Sequence, residues 1–420
     1  MELILENIRC FAGRYRLSIK PVTFLTGENS SGKSTFLAAL AAVNDFGFPL
    51  RPRLNEPPYN LGNYETIATY KGGRYGRAEN FSLGYKEKTS NKRDTEIIST
   101  YIGKQGAVEI ASLSSRNSVI DANLVFSMKN GKPTLSVVVT SGGTSKTYES
   151  ELETASAKSS FTSLADTLFF SFLRNNRRIS REAEKAAFDL ATMFEGVGRG
   201  RATSVAPIRT KPRRTYDQVT EEFTPEGEHI PFVLSGILND ASARNILERF
   251  GVASGLFNHI GIKKLGNKIS DPIQVLVTNS GRPANLLDVG YGVSQALPVV
   301  VESVLVAPEQ LLLFQQPEVH LHPRSQAALG SLFVDLHQES NKQFVIETHS
   351  DYIIDRVRQE VARGRVAADD VQILYFEKRG SETNVFPIAL DKRGNIVDPP
   401  LSYRDFFMEE EINLLSRSRD

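Results

Sequence analysis

The 420-residue chain carries 50 Lys and Arg against 49 Asp and Glu, a formal net charge of +1, with 40% hydrophobic and 24% charged residues. These proportions exclude wholesale disorder and a fibrous repeat, and the balanced charge leaves any nucleic-acid surface to a local patch. The single cysteine, Cys10, excludes an internal disulfide, and no run approaches the ~20 apolar residues of a membrane span, so a cytoplasmic protein without a membrane partner is expected.

Three β-like runs open the chain, Leu3–Leu5, Arg16–Ile19 and Val22–Thr26, the third stopping at Gly27 before an Ala/Leu-rich helix over Lys33–Asn44. From about Tyr64 to Val139, alternating stretches rich in Thr, Val, Ile and Tyr, broken by GG, NG and KG turns, predict an antiparallel β lobe. Glu151–Phe194 has helical composition in two segments separated near Arg174–Ser180, and reads as an arm. The Gly/Arg loop Gly196–Arg201 leads to a predicted strand over Ser204–Ile208, and helical patterns return between Pro231 and Ile262. The final third alternates QVLVT, a helix from about Ser294, LLLF, a helix from about Pro323, QFVIET, a helix from about Tyr352, and VQILYF. Such alternation predicts an α/β fold with a parallel sheet covered by helices. The two ends then build one core around an inserted middle: an N-terminal core over 1–63, a β lobe over 64–150, a helical arm and basic linker over 151–230, and a C-terminal core over 231–420.

The segment GENSSGKST (Gly27, Glu28, Asn29, Ser30, Ser31, Gly32, Lys33, Ser34, Thr35) sits between a strand and a helix and fits the phosphate-cradling spacing G-x-x-x-x-G-K-[ST]. Glycines allow backbone approach to phosphate, and loop amides with the helix N-terminus donate to the anion. In that pattern Lys33 reaches the β/γ-phosphates of ATP and the Ser34 hydroxyl joins Mg²⁺; the competing reading is a chance Gly/Ser turn. LLLFQQPEVHLHP (Leu311–Pro323) opens on an apolar strand that ends in Gln315 and Gln316, where an NTP site needs acidic groups; the competing reading is an ordinary core strand followed by a turn.

LTGENSSGKST, VGYGVSQALPVV (Val289–Val300), LLLFQQPEVHLHP and IETHSDYII (Ile346–Ile354) stand in the order found in ABC-type ATPase heads. Together they resemble the ATPases of the OLD (overcoming lysogenization defect) class and, more distantly, RecF and SMC heads. The resemblance implies an ABC-type P-loop ATPase head using ATP and Mg²⁺, with a mixed or parallel core sheet, an antiparallel β lobe and an inserted helical arm. It makes Gly290, Gly292, Ser294 and Gln295 a signature segment facing nucleotide on a second subunit, in a homodimer or higher oligomer. It also makes His349 a switch histidine sensing γ-phosphate. Read without it, Ser294 is a capped helix start and His349 a structural strand-end histidine.

Relatives place an acid where Gln315 stands, so Mg²⁺ there meets a neutral amide and hydrolysis is expected to be weak. A deliberate Glu-to-Gln exchange and a natural slow variant both have this form. Glu318, the nearest carboxylate, is either the water-orienting group or a helix-leading surface acid. His320 and His322 form an H-x-H pair without a third ligand at a recognisable spacing, which favours packing or an interface over zinc. Two basic clusters, Arg174, Arg177, Arg178, Arg181 and then Arg209, Lys211, Arg213, Arg214, offer contacts to DNA, to an acidic protein partner, or to solvent alone. The stretch beyond Asp351 is too short for the Toprim nuclease domain that full-length OLD proteins append, so effector chemistry is expected in a separate nuclease or toxin. The resemblance implies a role in bacterial anti-phage defence; the alternative is a RecF-like DNA-binding ATPase in repair or loading.

Overall fold

The computed structural model describes residues 1–73, 76–88, 94–117, 120–129, 132–141, 144–151, 202–217, 222–268 and 271–403. The predicted arm beyond Glu151, with Arg174, Arg177, Arg178 and Arg181, and the loop Gly196–Arg201 lie outside the described residues. Two compact units divide the chain: Met1–Ile19 with Ser34–Arg201 and Lys378–Thr383, and Lys20–Lys33 with Ala202–Glu377 and Asn384–Asp420.

The first unit is built on an eight-stranded antiparallel sheet. Its strands are β1 (Glu2–Ile8), β2 (Phe11–Ser18), β6 (Asn80–Lys88), β7 (Asp94–Lys104), β8 (Ala107–Arg116), β9 (Ile120–Lys129), β10 (Lys132–Ser141) and β11 (Thr144–Glu151). They lie in the order β11-β10-β9-β8-β7-β6-β1-β2. The short β4 (Tyr70–Gly72) and β5 (Gly76–Arg77) pair separately. Alternation explains β7, where Thr95, Ile97, Ser99 and Tyr101 are buried and the residues between them are not. The expected N-terminal core over 1–63 is divided otherwise. β1 and β2 join the lobe because Leu3 and Leu5 oppose Tyr85 and Leu83 on β6, a match that buries the Leu3–Leu5 run.

The second unit holds a seven-stranded sheet in the order β12-β16-β17-β3-β18-β19-β20. These are β12 (Thr203–Val205), β16 (Leu311–Gln315), β17 (Gln343–Glu347), β3 (Val22–Gly27), β18 (Val371–Arg379), β19 (Glu382–Leu390) and β20 (Ile396–Val397). The run from β12 to β18 is parallel throughout, and β19 and β20 pair antiparallel. LLLFQ is buried along its whole length, as a strand covered on both faces must be. Phe314, Phe333 and Phe344 pack ring on ring beside it, with centroids 5.0–6.4 Å apart.

Helix α1 (Lys33–Val43) follows β3, and the short α2 (Tyr64–Ile67) lies in the first unit. Between Pro231 and Ile262 the chain forms α3 (Ile230–Asn239) and α4 (Ala241–Ser254), but then a strand, β13 (His259–Lys264). Asp240 caps α4 by accepting from Ser242 N and Ala243 N, and Gly255 ends it in the left-handed region. β13 hairpins with β14 (Ile273–Thr278), which pairs with β15 (Ala284–Asn285), so QVLVT belongs to a separate antiparallel sheet and not to the parallel core. Helices α5 (Tyr291–Leu305), α6 (Pro323–Ser340) and α7 (Asp351–Ala362) complete the unit. No helix among the described residues is long and apolar enough to cross a membrane.

Candidate functional site

Parallel pairing brings the carboxyl ends of β3, β16 and β17 together: Gln315 opposes Glu347, and Glu347 opposes Leu25. Open α/β sheets bind their ligands at such ends. Gly27 ends β3 at φ +124°, and a Cβ there would lie 2.1 Å from the Phe376 carbonyl oxygen, so only glycine fits. Ser31 is buried and donates to the Glu28 carbonyl at 2.7 Å. Lys33, also buried, donates from Nζ to the carbonyls of Gly27 at 2.9 Å and Glu28 at 2.6 Å. Burial lowers its pKa, opposed by the negative charges of Glu347 and Glu28. Glu28, Asn29, Ser30 and Ser34 are exposed, Gly32 is half-buried, and Thr35 is buried in the first turn of α1.

Gln315 is buried, and Gln316 turns out of the strand at φ +45° with its N–H donating to the Glu347 carbonyl at 2.7 Å. Glu318 accepts from the His349 backbone N–H at 2.8 Å through Oε1, while its Oε2 is buried without a hydrogen-bond partner. Burial raises the Glu318 pKa, opposed by the bonds from His349 and Thr348 and by the charge of Arg209. Glu318 is therefore a buried acid and not a helix-leading surface one. The His349 residue is exposed, yet partial desolvation of its ring and the Lys33 charge lower its pKa, with Glu347 opposing. Glu347 escaped the sequence reading; its signal is an acid ending an apolar strand in IETHS.

The helix of the signature segment begins earlier than the expected Ser294. Helix α5 starts at Tyr291 with Gly290 at its N-cap, and Ser294 lies in the first turn, its Oγ donating to the Tyr291 carbonyl at 2.7 Å. Ser294 and Gln295 are buried, and Gln295 Nε2 has no hydrogen-bond partner. A Cβ on Gly290 would meet nothing within 4 Å, whereas one on Gly292 would come within 3.4 Å of the His320 carbonyl oxygen. His320 packs edge-on against Tyr291 at 5.2 Å, and His322 caps α6 by accepting from Arg324 N. Among the described residues no group of three or more His, Cys, Asp or Glu could hold a metal ion on its own.

Arg209 is the main correction. The sequence places it in a basic surface cluster, but it is buried, with Nη1 donating to the Gln295 carbonyl at 3.2 Å and Nη2 to the Gln316 carbonyl at 3.0 Å. Burial pushes its pKa down to about 10, against the charge of Glu318, so it stays protonated at neutral pH. It cannot face DNA. Arg214 forms a two-pronged ion pair with Asp288 at 2.6 and 2.9 Å, and Lys211 and Arg213 remain exposed.

No curated protein matches the chain in sequence. Among solved structures it is similar to an SMC head bound to the C-winged helix domain of ScpA, at 11% identity and TM-score 0.45, covering 93% of this chain and 98% of that one. It is also similar to the SMC head domain from Thermotoga maritima, at 11% identity and TM-score 0.39, covering 92% and 97%. A third is an Smc head with an extended coiled coil bound to the C-terminal domain of ScpA derived from Pyrococcus furiosus, at 10% identity and TM-score 0.40, covering 100% and 99%. The profile of the family described as "AAA domain, putative AbiEii toxin, Type IV TA system" matches residues 22–355, from the start of β3 to α7. The chain belongs to that family, as a P-loop ATPase domain with the α/β fold of an ABC-type head.

Proposed function

We propose that the chain binds ATP with Mg²⁺ in the loop Gly27–Thr35, pairs with a second copy in that state, and so controls a separate effector protein. The observation that carries this reading is Lys33, buried and turned onto the carbonyls of Gly27 and Glu28 at the end of a parallel strand whose neighbours end in Gln315 and Glu347. A lysine held by neutral carbonyls is a cation that a phosphate can claim. The residues fit the nucleotide: Gly27 permits close backbone approach, Lys33 supplies a positive charge, and Ser34 and Gln315 offer oxygens of the kind Mg²⁺ prefers. Bound ATP with Mg²⁺ supplies the phosphoanhydride and the neutralisation of its oxygens.

Glu318 is the group for orienting an attacking water, because one carboxylate oxygen is held by the His349 N–H and the other has no protein partner. His349 stays neutral beside Lys33 and takes the γ-phosphate side. Gln315 gives an amide where a carboxylate speeds transfer, so ATP is held longer than it is turned over. Gly290 supports the second copy: neither its φ of −56° nor its own chain's packing requires a glycine, which leaves room for a neighbour's phosphates. The family's description as a toxin of a toxin–antitoxin system supports a setting in defence beside another protein. The alternative of DNA binding loses Arg209, and Arg214 is tied to Asp288.

Isothermal titration of ATP into the wild-type chain and Lys33→Ala tests the reading. Affinity is expected to fall at least about tenfold in the variant, since a charge-assisted contact of ~1.5–3 kcal/mol is lost; unchanged affinity would overturn it.

A further inference from the structure

Glu347 ends β17 opposite Gln315 on one side and Leu25 on the other, two residues before Gly27. Opposed residues in a ladder present their side chains to the same face. The position therefore places a carboxylate beside the amide of Gln315, at the mouth of the phosphate loop. Glu347 is only 6% exposed, and its charge acts on both Lys33 and His349.

A buried carboxylate needs a nearby positive charge. Without nucleotide, Lys33 contributes that charge. A triphosphate drawing Lys33 toward its own oxygens sets a second anion beside the buried Glu347 carboxylate. A divalent cation between them removes the conflict, and a carboxylate beside an amide carbonyl is the hard-oxygen pair that Mg²⁺ accepts. We infer that Glu347 supplies the carboxylate for the divalent cation that accompanies ATP, from the strand next to the one where an acid at position 315 would supply it. This assignment rests on the ATP-binding reading above. It separates two properties of Gln315: metal binding survives through Glu347, while the missing second carboxylate keeps turnover slow.

The test is ATP affinity across a Mg²⁺ series and in EDTA, read by isothermal titration for wild type, Glu347→Gln, Glu347→Asp and the exchange Gln315→Glu/Glu347→Gln. Bound Mn²⁺ is counted by electron paramagnetic resonance in the same proteins. In Glu347→Gln the cation concentration for half-maximal enhancement should rise at least about tenfold, with affinity in EDTA held within about threefold. The exchange variant should recover most of the cation response, because it restores one carboxylate at the same strand ends. Glu347→Asp keeps the charge and should stay closer to wild type, which keeps the test decisive if Glu347→Gln fails to fold. A wild-type cation response in Glu347→Gln overturns the assignment. So does an equal loss with and without Mg²⁺, which would make Glu347 a counter-ion of Lys33 alone. A wild-type chain that binds ATP neither in Mg²⁺ nor in EDTA overturns instead the nucleotide reading, and this assignment with it.

Discussion

Arg209 donates from Nη2 to the backbone carbonyl of Gln316 at 3.0 Å, and its other terminal nitrogen holds the carbonyl of Gln295 at 3.2 Å. One buried guanidinium thus joins the signature helix α5 to the turn that carries Glu318. Truncation removes the charged donor from both carbonyls, leaving Gln316 O only the Val319 N–H at 3.3 Å, and leaves Glu318 without a facing cation, each lost bond to a charged group costing ~1.5–3 kcal/mol. Arg209→Ala should therefore lower stability by about 3 kcal/mol or more in urea denaturation. Lys211→Glu and Arg213→Glu, on exposed side chains, should stay within about 0.5 kcal/mol of wild type.

The ionisation of His349 reports on its two charged neighbours. Desolvation and Lys33 lower its pKa while Glu347 raises it, so the imidazole should titrate below the ordinary histidine value near 6.5. Removing the cation with Lys33→Met should move the midpoint upward, and removing the anion with Glu347→Gln should move it downward. Histidine-selective NMR titration of the nucleotide-free protein measures both signs; a common direction would contradict the arrangement.

Turnover should respond at position 315. Gln315→Glu adds a charged ligand where phosphoryl transfer depends on charge stabilisation, and losing one such group costs ~2.7–4 kcal/mol in other sites. Phosphate release at matched ATP occupancy is expected to rise at least about tenfold. Equal, brisk rates in the two forms would assign the whole task to other groups, Glu318 first among them.

Gly290 separates folding from assembly. A Cβ there meets no atom within 4 Å beyond its two chain neighbours, and a valine keeps an allowed backbone conformation. Gly290→Val should cost no more than the ~1 kcal/mol of a less favourable N-cap and weaken ATP-dependent self-association at least about tenfold.

The parts of this site carried by local pattern were legible before any coordinates. Val22–Gly27 and Leu311–Gln315 are apolar runs of strand length, and the Gly27, Gly32 and Lys33 spacing announces its loop directly. Arg209 was misread because its burial depends on carbonyls 86 and 107 residues away in the chain, and a local run of cations looks the same whether solvated or enclosed. β1 and β2 were grouped with the N-terminal core for the same reason: β6, which pairs with β1 and so draws β1 and its neighbour β2 into the lobe, is distant in sequence. His259–Lys264 was lost in a helical stretch because six residues carry too little periodicity to separate strand from helix, and only pairing with β14 decides it. Glu347 ends an apolar strand, but its meaning comes from the register that sets it opposite Gln315.

The central claim is that nucleotide held by Gly27–Thr35 of one copy is completed by the signature segment of another. The direct measurement is sedimentation velocity in Mg²⁺ and ATP on wild type, Lys33→Ala, Gly290→Val, and an equal mixture of the two variants. Wild type should associate and each variant alone should not. The mixture should recover association, because pairing the intact loop of one variant with the intact signature of the other rebuilds one complete site. A mixture that behaves as the sum of its parts, or a Lys33→Ala protein that associates as wild type does, would contradict the account.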